Sequence, residues 1–412
     1  MRSSFFVSRR MFLKMLLGLS FSEFSNRALG FSLFDSLNKN NAWEDRFDTR
    51  IVRGSLISNR PVLSLSTKYY TQLAIPEYRN IIAKGGWPVV PETQRELHLG
   101  MIHPDVSLLR QRLLISKDLP YDAGKSFFFD SYVKAAVQRF QIRHGLLSDG
   151  IVGKTTYHAL NINAEVRLNQ LYANLKRLEN MMSLVLNEQR FVMVNIPEAQ
   201  IEIVENDQVV QRHTAIVGKV ERKTPIFNSR IYEIILNPFW VVPQSIIRED
   251  ILPLMKKSPD YLSKNNIHMF DREGKEVFPS SIDWDKNDAL SLTFRQDPGK
   301  INAMSSTKIN FNNKYAVYMH DTPLQGLFNH LMRFDSSGCV RVHNIRDMNL
   351  WLLKNTPGWD RARMEAVIRS RKNKSILLKD QVPLHFVYIS AWSTGEDRVH
   401  FRDDIYHLDG DY

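Results

Sequence analysis

The chain has 412 residues and one cysteine, which leaves room for two or three domains and none for an internal disulfide. With 43% apolar and 24% charged residues, the composition is that of a folded protein with a sizeable core, not a disordered or fibrous one. The formal charge of +11 is spread along the chain, with no basic run interleaved with aromatics, so nucleic acid is not expected as a partner.

At the N-terminus, Ser8-Arg9-Arg10-Met11-Phe12-Leu13-Lys14 matches the twin-arginine export consensus and precedes the apolar run Met15–Phe21. That run is shorter than the ~20 residues of a membrane-spanning helix. Residues 1–30 are therefore read as an export signal with a cleavage site at Ala28-Leu29-Gly30; the general secretory path and an uncleaved anchor are the alternatives. Residues 31–66 are polar and aperiodic, and read as a linker. A helical scaffold segment is expected over 67–99, with a helix from Tyr69 to Lys84 on Leu73, Tyr78, Ile81 and Ile82, ended by Gly85-Gly86-Trp87-Pro88. Residues 100–161 form a compact helical domain. One apolar stripe there is Val106, Leu109, Leu113 and Leu114; another is Ala135, Val137, Phe140 and Leu146. A connecting helix over 162–189 carries Leu168, Leu171, Leu175, Leu178 and Met182.

From Arg190 the period changes to two. Strands are predicted at Phe191–Asn195, Gln200–Glu205, Val209–Val217 and Arg230–Leu236, with Asn206-Asp207 as a hairpin turn. Between about 244 and 310 the strands are interrupted. Helices at Ile246–Lys257 and Pro259–Lys264 and a polar, turn-rich stretch read as a lid insertion. Strands at Pro383–Trp392 and Val399–Tyr406 close a mostly β domain over 190–412.

The lone cysteine lies in Ser337-Gly338-Cys339-Val340-Arg341-Val342-His343. Alone, it reads as a small buried hydrophobe. The strict alternation instead puts Val340 and Val342 in a core and Cys339, Arg341 and His343 on the other face. Beside a guanidinium, the thiolate is favoured over a thiol of ordinary pKa ~8.5. Gly338 allows close approach of an acyl group, and N–H groups at Gly338 and Cys339 suit an oxyanion. Asn344 reads as the N-cap of a helix through Met348, Trp351 and Leu352. His343 is roughly 13 Å along the strand at ~3.3 Å per residue, too far to serve as base. His330 is placed on a surface helix from Pro323 to Phe334. His320 ends a predicted strand Tyr315–His320 before Asp321-Thr322-Pro323, where a base meets a cleft.

These residues resemble the L,D-transpeptidase catalytic domain, the YkuD domain, whose pattern is a histidine, about eighteen residues, then S-H-G-C-x-R-x-x-N. His320 and Ser336-Ser337-Gly338-Cys339-Val340-Arg341-Val342-His343-Asn344 carry the match; Ser337 stands where the family has histidine. Asn237–Pro243, Ser280–Trp284 and Val317–Pro323 resemble the large, YcbB-type cross-linking subgroup. Ala136–Gln141 and Asp149–Gly153 resemble a three-helix peptidoglycan-binding module; the same residues would also build a helical packing domain with no ligand. The resemblance implies an α+β multidomain, periplasmic enzyme associated peripherally with the cell wall. Cys339 is its nucleophile, His320 its general acid/base, and Gly338, Ser337 and Arg341 line the oxyanion and substrate region, where Arg341 holds the scaffold of the loop, with contact to a stem carboxylate as the alternative. Donor and acceptor are peptidoglycan tetrapeptide stems, whose carboxylates suit a basic protein, and export engages the twin-arginine machinery. No metal or cofactor is implied. L,D-carboxypeptidase action, protein anchoring by the same chemistry, and an inactive wall-binding protein are the alternatives.

Overall fold

The computed structural model describes residues 58–92, 95–120, 126–286, 288–395 and 398–410. The expected export signal and most of the linker lie outside them. No helix among the described residues is long and apolar enough to cross a membrane. By internal contacts the chain forms two units, one holding residues 240–297 and the other the rest of the described chain.

Helix α1 spans Leu65–Ala83, starting earlier than expected because Ser64 Oγ accepts from Thr67 N–H. Its buried face is Ala74, Ile75, Tyr78 and Ile81, while Leu73 is exposed. Val62 and Leu63, placed in the linker by the sequence reading, are buried. The three-helix module follows: α2 (Asp105–Ile115), α3 (Ser131–Arg143) and α4 (Lys154–Asn161). Asp130 caps α3 by accepting from Val133 N–H at 2.9 Å. Val133, Ala136, Val137 and Phe140, spaced i, i+3, i+4, i+7, pack on Val106, Leu109 and Leu113. Ala135 falls off that stripe and is half-buried. Helix α5 (Ala164–Val185) follows; its Leu171 joins Ala74, Ile75 and Tyr78 of α1 in one apolar cluster.

The β domain begins with β1 (Arg190–Asn195), β2 (Gln200–Glu205), β3 (Gln208–Gly218) and β4 (Phe227–Leu236). Asn206 and Asp207 both have positive φ, 52° and 57°, the turn whose twist suits a tight hairpin. Residues 240–297 then form their own unit. The expected helix at Ile246–Lys257 is present, running from Gln244–Ile246 through a wider π-helical stretch at Ile247–Ile251 into Leu252–Lys257, while the second shortens to Tyr261–Lys264. The stretch read as turn-rich holds a small antiparallel sheet of β5 (Trp240–Val241), β6 (Ile267–Phe270), β7 (Glu276–Val277) and β8 (Thr293–Gln296) in the order β5-β8-β6-β7. Such two- to four-residue strands are too short for an alternation to show.

The chain returns through β9 (Thr307–Phe311), β10 (Met319–His320), β11 (Phe334–Ser336) and β12 (Val340–Val342), then helix α6 (Ile345–Leu352) and helix α7 (Arg361–Ser370). It ends in β13 (Lys374–Val387), β14 (Ala391–Ser393) and β15 (Val399–Phe401). The main sheet runs β11-β3-β12-β10-β9-β4-β13-β1-β2, and β2 also pairs with β3, so eight strands close into a ring. Val192, Ile203, Val217, Ile234, Ile309, Met319, Val340, Val342 and Leu384 meet in one core with Met348 of α6. This is the expected architecture: a helical region followed by a mostly β domain. Two local expectations change. Strand β10 keeps only two residues, because Ala316 sits at φ 56° and the Asn313 side chain accepts from Tyr315 and Val317 N–H. The expected Pro323–Phe334 helix is one 3₁₀ stretch, Gln325–Asn329, and Phe334 joins β11 beside β3.

Candidate active site

Strands β10 and β12 lie side by side and parallel, with Met319 opposite Val340 and His320 opposite Arg341. Val340 N–H donates to Tyr318 O at 3.1 Å, extending the register backward. Met319, Val340 and Val342 are fully buried, so alternation puts Tyr318, His320, Cys339 and Arg341 on the opposite face. On the far side of β10, antiparallel β9 sets Lys308 opposite His320. Three side chains thus form a row across three strands: Lys308, His320, Arg341.

Cys339 sits at the entry to β12, in a loop fixed by its own polar atoms. Gly338 has φ 109°, a conformation that side chains disfavour; an added Cβ would meet nothing closer than 3.6 Å. Backbone conformation, not space, therefore requires the glycine. Thr224 Oγ1 donates to Gly338 O at 2.9 Å and accepts from Gly218 N–H at 2.8 Å. Ser336 Oγ donates to Cys339 O and accepts from Gly338 N–H at 3.1 Å. The Gly338 N–H expected to meet an oxyanion is thus already engaged. The Cys339 N–H has no acceptor among the described residues. Ser337 is exposed, its Oγ accepting from Arg222 Nη1 at 2.8 Å.

The charges near Cys339 act as expected in sign but not in sum. Burial raises the thiol pKa above its ordinary value. Hydrogen bonds from the backbone and side chain of Tyr318, and then the Lys308 and Arg341 charges, oppose that rise without cancelling it. The resting group is a thiol, not the thiolate anticipated from the neighbouring guanidinium. Arg341 is buried and its pKa lowered by burial, with Asp335 and Cys339 opposing; its Nη1 has no hydrogen-bond partner.

His320 is 7% exposed, and its Nδ1 lies 2.6 Å from Asp321 O. A carbonyl oxygen only accepts, so Nδ1 carries the proton and Nε2 the lone pair. Burial first, then Arg341 and Lys308, push its pKa down to about 3 against the Asp321 hydrogen bond. The imidazole is neutral at pH 7. Asp321 is itself anchored: Oδ2 accepts from Ser306 Oγ at 2.6 Å and Oδ1 from Thr322 N–H at 2.8 Å.

The other histidines lie elsewhere. His343 tilts against Phe328, ring centres 5.0 Å apart, while its backbone bonds Thr214 of β3. His330 is exposed. Asn344 occupies the N-cap position of α6 in the left-handed region, φ 52°, and its side chain makes no capping bond. Sequence reasoning missed two residues near the sulfur. Tyr318 stands two positions before His320, on the same face of its strand. Lys308 lies in Thr307-Lys308-Ile309-Asn310-Phe311, a five-residue alternation inside the stretch read as interrupted.

Residues 189–363 match the family model of the YkuD L,D-transpeptidase catalytic domain, and residues 103–160 match a "Putative peptidoglycan binding domain". A curated "Putative L,D-transpeptidase" of Haemophilus influenzae is 35% identical over 219 residues, which are 53% of this chain and 44% of that one. The chain therefore spans less than half the length of that relative. Among solved structures, an L,D-transpeptidase from Mycobacterium smegmatis is 13% identical, covers 48% of this chain and 58% of its own, and has a TM-score of 0.23. One from Stackebrandtia nassauensis is 13% identical, covering 73% and 96%, with a TM-score of 0.25. The segment that carries Cys339 and His320 is thus a YkuD L,D-transpeptidase catalytic domain, with a peptidoglycan-binding domain ahead of it.

Proposed function

We propose that the protein is a peptidoglycan L,D-transpeptidase that forms 3→3 cross-links through a thioester on Cys339. The observation that carries this reading is the pairing of β10 with β12, which sets a neutral histidine with a free Nε2 on the same face as a lone thiol. In this mechanism His320 Nε2 takes the Cys339 proton as the sulfur attacks the carbonyl of the third-position diaminopimelate in a donor tetrapeptide. The C–S bond forms, the C–N bond to the fourth residue breaks, and His320 returns the proton to the leaving amine. The side-chain amine of a second stem then attacks the thioester, giving its proton to His320 and restoring the thiol. Cys339 N–H is the backbone donor placed for the developing oxyanion, with the Gly338 peptide held rigid by Ser336 and Thr224.

On this reading the helical module holds the enzyme to the wall. The protein works in the periplasm, exported by the twin-arginine route; Arg9→Lys with Arg10→Lys then retains it in the cytoplasm. The direct test of function is to incubate the enzyme with purified tetrapeptide-rich sacculi and analyse the muropeptides. Accumulation of 3→3 dimers supports the reading. Release of the fourth residue with no dimers would assign a carboxypeptidase instead.

A further inference from the structure

The row Lys308–His320–Arg341 holds two cations that the chemistry of thiol and imidazole leaves without an assignment. Lys308 is half-buried, and no hydrogen-bond or ion-pair acceptor is within reach of its Nζ among the described residues. The ammonium sits 4.4 Å from the centre of the Tyr318 ring, which holds it toward the sulfur. Glu233, whose charge bears on Lys308, has its oxygens taken by Ser375 Oγ and Asn310 Nδ2. Arg341 is 9% exposed and leaves Nη1 unpartnered. Buried cations are costly unless paired, and both flank one imidazole at the ~4.8 Å spacing of neighbouring strands.

We propose that Lys308 and Arg341 form a clamp for the terminal carboxylate of the residue the donor peptide releases. The inference rests on the transpeptidase reading above. To receive the His320 proton, the leaving amine must lie within hydrogen-bond reach of Nε2. In a donor that ends one residue past the scissile bond, the carboxylate carbon is two covalent bonds from that nitrogen, about 2.5 Å. The carboxylate is therefore delivered between the two strands that flank β10, where the cations stand. A donor extended by one more residue carries an uncharged amide at that point. The clamp thus selects stems whose free carboxylate lies one residue beyond the bond to be cut.

The test compares a synthetic tetrapeptide donor with its C-terminal carboxamide, following acyl-enzyme formation by intact mass in single-turnover mixing. The wild type should acylate about 10–100-fold more slowly with the carboxamide, the size of a lost hydrogen-bonded charge contact. Lys308→Met should slow the acid donor about 10-fold or more beyond any slowing of the carboxamide, whose rate falls only as far as the lost charge on the thiol dictates. Arg341→Lys, which keeps the buried charge, should show the same selectivity to a smaller degree. Equal wild-type rates with both donors would overturn the clamp, whatever any variant does. So would a Lys308→Met loss that is equal for both donors and tracks slower alkylation by iodoacetamide, since that assigns the lysine to the thiolate. No acyl-enzyme with either donor would overturn the transpeptidase reading and the clamp with it.

Discussion

The Nδ1 of His320 lies 2.6 Å from the main-chain oxygen of Asp321, the next residue in the chain. No partner side chain is needed to set the tautomer of this imidazole; the turn after β10 does it. That turn is held in place by the Asp321 carboxylate, which accepts from Ser306 and Thr322.

On the proposed mechanism, replacing His320 with Gln should slow Cys339 acylation by ~10²–10⁴-fold, the contribution of a positioned base. The same change at His343, packed on Phe328, should cost less than a tenth of that effect. Stopped-flow acylation of both variants decides it, and a His343 variant as slow as the His320 variant would contradict the assignment.

Asp321→Ala should loosen the carbonyl that orients His320. We expect acylation to slow about 10-fold while alkylation of Cys339 by iodoacetamide keeps its pH profile, because the carboxylate acts on the imidazole and not on the thiol. Rescue by Asp321→Asn should be partial, since the amide oxygen can still accept one of the two hydrogen bonds.

Burial raises the Cys339 thiol, so the thiol–imidazole pair rests neutral. Without a donor bound, iodoacetamide alkylation should climb through pH 8 and 9, with no plateau near neutrality of the kind a depressed thiol gives. A plateau at or below pH 7 would show a preformed thiolate.

Stability should fall in mild acid. His144 and His320 are buried and His400 is half-buried, with pKa values well below the ordinary value for the first and about 3 for the other two. A depressed folded pKa means that the unfolded chain binds a proton near pH 6.5 while the fold does not. Their stabilisation is therefore complete above pH 6.5 and is lost as pH falls toward 3. Glu202, raised to about 7 by burial, acts in the opposite sense between about 4.5 and 7. Three groups outweigh one, and chemical denaturation should show a net loss on the order of 1 kcal/mol per pH unit below pH 6.

Much of the β domain was legible because β1 to β4 carry clean alternation and a hairpin signal at Asn206-Asp207. Singling out His320 needed only the strand-ending turn at Asp321-Thr322-Pro323, but the pairing of its strand with the Cys339 strand came from the structure. Strand β9 was not legible: its partners β4 and β10 are remote, and its five residues follow an insertion that hides the period. With it went Lys308. The sign of the Cys339 shift was misread for a related reason. Sequence shows which charge is near the sulfur, but not how much water burial removes from it. The engaged Gly338 N–H depends on Ser336 folding back over two residues, which no pattern announces.

The most direct measurement is the intact mass of the protein after reaction with a tetrapeptide donor, followed by peptide mapping of the adduct. The account predicts a mass increase equal to the donor less its fourth residue, held on Cys339, released by hydroxylamine and absent from Cys339→Ala. An unmodified wild-type protein, or the same adduct on the Cys339→Ala variant, would contradict it.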